Sequence, residues 1–338
     1  MRRCLTFLAA FLLVACSAAV AAEPAKLVVA IRYLQSNGVS HSHLYLYRED
    51  GRLLRQLTKN NPGQDFDPLF AENGETIVFT RELDGDTKQF WSVSSRGGQP
   101  KQLSAAPDWY TAAKTSPHFT RFQEKSEIEA ETPASNGTEK ENDSPAGPPP
   151  TFRAPDGSVE VVAQKMADDE DDAMNLPGTG KHFLLRDLKA GTEVKMGTLP
   201  GFVGLRHVLP LQGSSGGEFL FQGALRVIFF TVHLNSTDGD TNFALDLNTR
   251  KIVRLSPNWA APMPLPGKAA FLTLTSERYL PIPGTKKTAN CSFLERWDAK
   301  LDKVRYARPG AAAICYGASV YLPGQTPATV NFRRDEDY

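Results

Sequence analysis

Acidic residues at repeated positions pose the first chemical question. Asp65 and Asp67 stand two apart ahead of an apolar run, Asp84 and Asp86 flank Gly85, and Asp156 precedes Gly157. A pair of carboxylates is the equipment of glycan cleavage, one donating a proton and the other serving as base or nucleophile. On that reading Asp65, Asp67 and Asp84 are the carboxylates of a glycan hydrolase or lyase. Asp also satisfies backbone N–H groups in turns. Recurrence at equivalent turns favours this capping role over catalysis.

Other reactive groups are less specific. Gly213-Ser214-Ser215-Gly216-Gly217 fits the spelling of a nucleophile elbow, but it lies between strand-like runs, and only His233 follows it as a candidate base. Asp168–Asp172 is a dense acidic run without the alternating spacing of a calcium loop. The histidines at 41, 43, 118, 182, 207 and 233 show no zinc spacing, so neither a metal nor a cofactor is expected.

Residues 1–22 read as a signal peptide: Arg2-Arg3, a short apolar run over Leu5–Ala15, and small residues before Glu23. This implies export to a bacterial periplasm or beyond. Leu13-Val14-Ala15-Cys16 also resembles a lipobox, which would lipidate Cys16 and tether the chain as a lipoprotein. Of the remaining cysteines, Cys291 and Cys315 either pair as a disulfide or stand as two separate buried thiols.

Lys+Arg and Asp+Glu both number 38, so there is no basic footprint for nucleic acid. Past the leader no apolar run reaches the length of a membrane span.

The elements that must position these groups are strands. Asp65–Ser104 holds four strand-like runs separated by Asn73-Gly74, Asp84-Gly85 and Gly97-Gly98, which supply the positive φ of tight antiparallel turns. A strand–turn–strand unit recurs over His43–Thr58, Gln89–Ser104, His182–Gly197, Asn242–Ser256 and Ser292–Ala307. Its leading apolar residues recur at roughly 45 to 60 residues, with one interval about twice as long, a period that suits propeller blades. The long interval contains a polar insertion at about 121–150, rich in Glu, Ser, Asn and Pro, which reads as a disordered surface loop.

Inner strands show as well. Phe152–Ala163 echoes Phe66–Thr80, and Pro264–Thr275 does so more weakly. Lys26–Leu34 begins a first blade that lacks inner strands, and Ala312–Leu322 with Ala328–Phe332 come late enough to complete it. The expectation is an all-β chain. Residues 23–338 form a single β-propeller of about five to six four-stranded blades, closed by its N- and C-terminal strands. A sixth, degenerate blade falls in Leu205–His233 or at the C-terminus. The acids of the enzyme alternative would then stand at the mouth of the central tunnel.

Asp67-Pro68, Phe70, Gly74, Ile77, Phe79-Thr80, Trp91, Gly97-Gly98 and Leu103-Ser104 resemble the TolB-type propeller repeat of bacterial envelope proteins, a WD40-like family. Asp50-Gly51 with Leu57-Thr58, and Ala154-Pro155-Asp156-Gly157, repeat parts of the pattern. The resemblance implies a non-catalytic platform that binds a protein, peptide or other envelope component.

Overall fold

The structure, a computed structural model, describes residues 24–83, 87–115, 119–122, 151–154, 157–164, 182–198, 205–210, 219–234, 240–255, 262–324 and 331–334. The signal peptide, residues 123–150 of the expected insertion, Cys16, Asp84, Asp156, the 168–172 acidic run and the 213–217 Gly/Ser run lie outside the described residues.

The chain opens with β1 (Lys26–Tyr33), β2 (Ser42–Arg48) and β3 (Leu53–Gln56), followed by β4 (Gln64–Phe70), β5 (Thr76–Leu83), β6 (Thr87–Ser94) and β7 (Lys101–Leu103). The latter four make one antiparallel sheet in the order β4-β5-β6-β7, as the turn residues between them require. At the β4–β5 turn, Asn73 Oδ1 accepts the N–H groups of Glu75 (2.9 Å) and Thr76 (3.0 Å). Gly74 supplies a φ of 63°, which few other residues adopt without strain. A short helix, α1 (Asp108–Thr115), follows; it packs Tyr110 against Leu69 and Val78 and was not foreseen from the sequence.

After β8 (Phe119–Phe122), three further sheets follow. The first joins β9 (Thr151–Arg153), β10 (Val159–Gln164), β11 (His182–Asp187) and β12 (Thr192–Thr198). The second joins β13 (Leu205–Pro210), β14 (Phe219–Gln222), β15 (Leu225–Leu234), β16 (Asp240–Asp246) and β17 (Ile252–Arg254). Leu205–His233 therefore contributes the inner strands of the β16–β17 sheet rather than a sheet of its own, because β15 is long enough to pair with β13, β14 and β16 together. The third joins β18 (Met263–Pro264), β19 (Ala270–Pro281), β20 (Thr288–Asp298) and β21 (Lys303–Arg305).

The last strands are β22 (Ala313–Tyr321) and β23 (Asn331–Arg334). β22 pairs antiparallel with β1, Lys26 opposite Tyr321 and Tyr33 opposite Ala313, so strands from both ends of the chain share one sheet, as expected. β23 extends that sheet beyond β22, and β8 adds parallel to β23.

Asp turns recur at the outer hairpins. Asp187, Asp246 and Asp298 each accept two backbone N–H groups of the following turn, and Asp50 accepts that of Arg52. This is the capping role that repeated acids suggest, borne by different acids from those first singled out.

Sheets pack through apolar seams. Val28, Ala30, Leu44 and Leu46 of the first sheet meet Phe70, Ile77, Phe79 and Val93 of the second. On its other side the first sheet meets Leu272, Leu274, Phe293 and Leu294. That β18–β21 sheet in turn meets β15, where Phe229 and Phe271 stand edge to face at 5.3 Å. No helix among the described residues is long and apolar enough to cross a membrane.

Candidate functional site

Asp65 lies on β4 directly opposite Arg81 on β5. Arg81 donates from Nε to one carboxylate oxygen at 2.7 Å and from a terminal nitrogen to the other at 3.2 Å. Both side chains are buried, that of Asp65 completely. The guanidinium lies over Trp91 (4.6 Å to the ring centroid) and near Phe79 (5.4 Å), which satisfies a cation that water does not reach. Burial pushes the Asp65 carboxyl above the usual carboxylate range, against the pull of Arg81 and the Thr58 hydroxyl. The arrangement is a strut between two strands, with both oxygens of Asp65 engaged.

Asp67 sits two residues along, where β4 bulges between Phe66 and Leu69, and its φ of 46° marks the irregularity. It too is buried, and its carbonyl accepts the Tyr110 hydroxyl at 2.9 Å. Neither acid is presented to solvent; the third acid of that set, Asp84, lies outside the described residues.

Cys291 and Cys315 are both buried. Cys291 Sγ donates to the Ala289 carbonyl and Cys315 Sγ to that of Gly317, each at 3.8 Å. The two strands touch here, the Cys315 N–H donating to Ser292 Oγ at 3.0 Å.

A different group of residues gathers where β1 and β5 end and β2, β4 and β22 begin. This end carries the connections 34–41, 57–63 and 306–312. Gln64 ties the first two together: its Oε1 accepts the Ser42 N–H at 2.6 Å, and its Nε2 donates to the Ser40 carbonyl and to His41 Nδ1, both at 3.3 Å. Asn61 Nδ2 donates to the carbonyls of Ser42 (3.2 Å) and Gly63 (2.7 Å). Arg32 donates to Ser40 Oγ at 3.0 Å and to the Tyr316 hydroxyl at 3.5 Å. Tyr316 stands edge-on to Phe66 at 5.0 Å. Burial pushes the neighbouring His43 imidazole below its ordinary pKa, with Asn61 opposing.

Arg32, His41, Gln64, Phe66 and Tyr316 are all half-buried, so each side of this polar and aromatic rim keeps some contact with solvent. Of these, sequence reading singled out only His41 as a candidate ligand and Phe66 as a strand residue. Nothing local marks Arg32, Gln64 and Tyr316, since Tyr316 reaches Arg32 across 284 positions of chain.

No family model and no curated protein matches the chain. Among solved structures, a TolB-designated protein from Agrobacterium tumefaciens shares 9% identity over 88% of this chain and 98% of its own, with a TM-score of 0.20. TolB from Acinetobacter baumannii shares 8% over 83% of this chain and 52% of its own, with a TM-score of 0.21. The β-propeller domain of the trilobed protease from Pyrococcus furiosus shares 6% over 80% and 68%, with a TM-score of 0.24. Likeness at this level carries no argument about activity.

Proposed function

We propose that this chain is a non-catalytic β-propeller of about five to six blades, exported to a bacterial periplasm, that serves as a scaffold binding an envelope protein or peptide. In this reading the β1–β22 pairing closes the ring of blades. One observation carries the reading: Asp65 and Asp67 are buried, with Asp65 fully committed to Arg81, while Arg32, His41, Gln64, Phe66 and Tyr316 at the loop end keep partial exposure to solvent. A general acid has to reach the glycosidic oxygen. A binding surface needs aromatic and Arg side chains on a rigid frame, with variable loops to hold specificity.

Affinity capture of the mature chain from its own envelope after mild cross-linking tests this. A protein recovered reproducibly, and lost when Val39→Asp charges the exposed 34–41 connection, supports the scaffold. Cleavage of an envelope glycan by the purified chain, abolished in Asp65→Asn, contradicts it.

A further inference from the structure

We infer that the loop end of the seam between the first two sheets holds a carboxylate-binding subsite centred on Arg32, and that its occupant is an acidic side chain of a bound peptide. This rests on the scaffold reading and specifies what the scaffold grips.

Arg32 is half-buried near the end of β1. Its Nε–H goes to Ser40 Oγ and one terminal nitrogen to the Tyr316 hydroxyl. Neither acceptor is charged, and Arg32 forms no ion pair among the described residues. A guanidinium carries five N–H donors, so these two contacts orient the group without exhausting it. Arg81 in the same seam shows the contrast: its charge is balanced by Asp65 with two hydrogen bonds. Arg32 thus lacks the charged partner that Arg81 has in Asp65, and a carboxylate is the ligand that meets a guanidinium in bidentate geometry.

His41 adds a second donor. Because the Gln64 amide donates to its Nδ1, the neutral ring carries its proton on Nε2. Gln64 is itself fixed by the Ser42 N–H at 2.6 Å, so both donors are held before any ligand arrives. Phe66 and Tyr316 supply the apolar wall. Their rings stand at 85° and pack on each other, which suits an aliphatic stem beside a carboxylate better than a sugar ring that needs an open aromatic face.

The test uses fluorescence anisotropy of the mature chain with a labelled Gly-Phe-Glu-Phe-Glu-Gly amide and its glutamine counterpart. The acidic peptide is expected to bind at least about tenfold more tightly than the glutamine peptide, and to weaken as salt rises. Arg32→Gln is expected to cost about tenfold or more in affinity, and Arg32→Lys, which keeps the charge but not the fork, an intermediate amount. Arg96→Gln, on an exposed turn where Arg96 pairs with Glu75, leaves binding unchanged. Circular dichroism checks that each variant is folded, and Arg32→Lys carries the test if Arg32→Gln does not fold. Failure of the acidic peptide to bind, equal binding of the two peptides, unchanged binding in folded Arg32→Gln, or displacement by hexagalacturonate at lower concentration than by unlabelled peptide each overturns the subsite. An envelope protein captured equally by wild type and Arg32→Gln overturns the subsite and leaves the scaffold standing; no captured protein at all overturns the scaffold.

Discussion

Arg81 and Asp65 face each other across adjacent strands and share two hydrogen bonds, at 2.7 and 3.2 Å, in a position closed to water. Asp65→Ala leaves a buried guanidinium without its partner, a change that costs about 3–5 kcal/mol. The expected result is a lower urea midpoint at unchanged slope. Replacing both residues with Leu and Met costs less than the single change, since no charge is then stranded.

Ionisation of tyrosine governs the alkaline limit. Burial pushes the Tyr45 phenol up to about 12 and those of Tyr47 and Tyr306 higher still. An unfolded phenol ionises near pH 10, so below that pH both states keep the proton and the native contacts are fully present. As pH rises from about 10 towards 12 the unfolded chain loses protons first, and stability falls. The melting temperature should drop across that window, less steeply in Tyr45→Phe.

Strands and turns were legible in the sequence because their determinants are local. Asn73-Gly74 sets the β4–β5 register next to the turn, and the bulge between Phe66 and Leu69 then shifts it by one residue and places Asp65 opposite Arg81; the repeated outer hairpins and the late strand that completes the first sheet follow from the chain's spacing. What the sequence could not show is which side chains turn inward. Asp65 and Asp67 looked like exposed chemistry, yet β4 packs between β5 and the first sheet, and the Phe66–Leu69 bulge buries both. The rim was hidden for the opposite reason: Arg32, Gln64 and Tyr316 meet only when β1, β4 and β22 are assembled. Helix α1 left one signal that went unread, Pro107-Asp108 ahead of Tyr110, a start for a short helix with an acid in its first turn.

Gly63 holds the β3–β4 connection against β5. A Cβ there would lie 1.9 Å from the Glu82 carbonyl oxygen, which is backbone and cannot step aside. Gly63→Ala is expected to lower stability by about 1–3 kcal/mol and to displace the connection that carries Asn61. Thermal melting reads the first effect, and faster amide exchange at Asn61 and Gly63 the second.

The two thiols are shielded by packing, and burial pushes that of Cys291 up, away from the reactive thiolate. Iodoacetamide should label neither Cys291 nor Cys315 in the native protein, and both in urea without reductant. Labelling that appears only after reduction would mean that the two are paired.

In the proposed scaffold the end bearing the 34–41, 57–63 and 306–312 connections is the binding face. A photo-crosslinking amino acid at Val39, 65% exposed on that end, and another at Lys300, on an exposed turn at the opposite end, compare the two faces in one envelope preparation. A discrete protein adduct is expected from position 39 and none from position 300. Adducts from 300 alone, or equally from both, would contradict it.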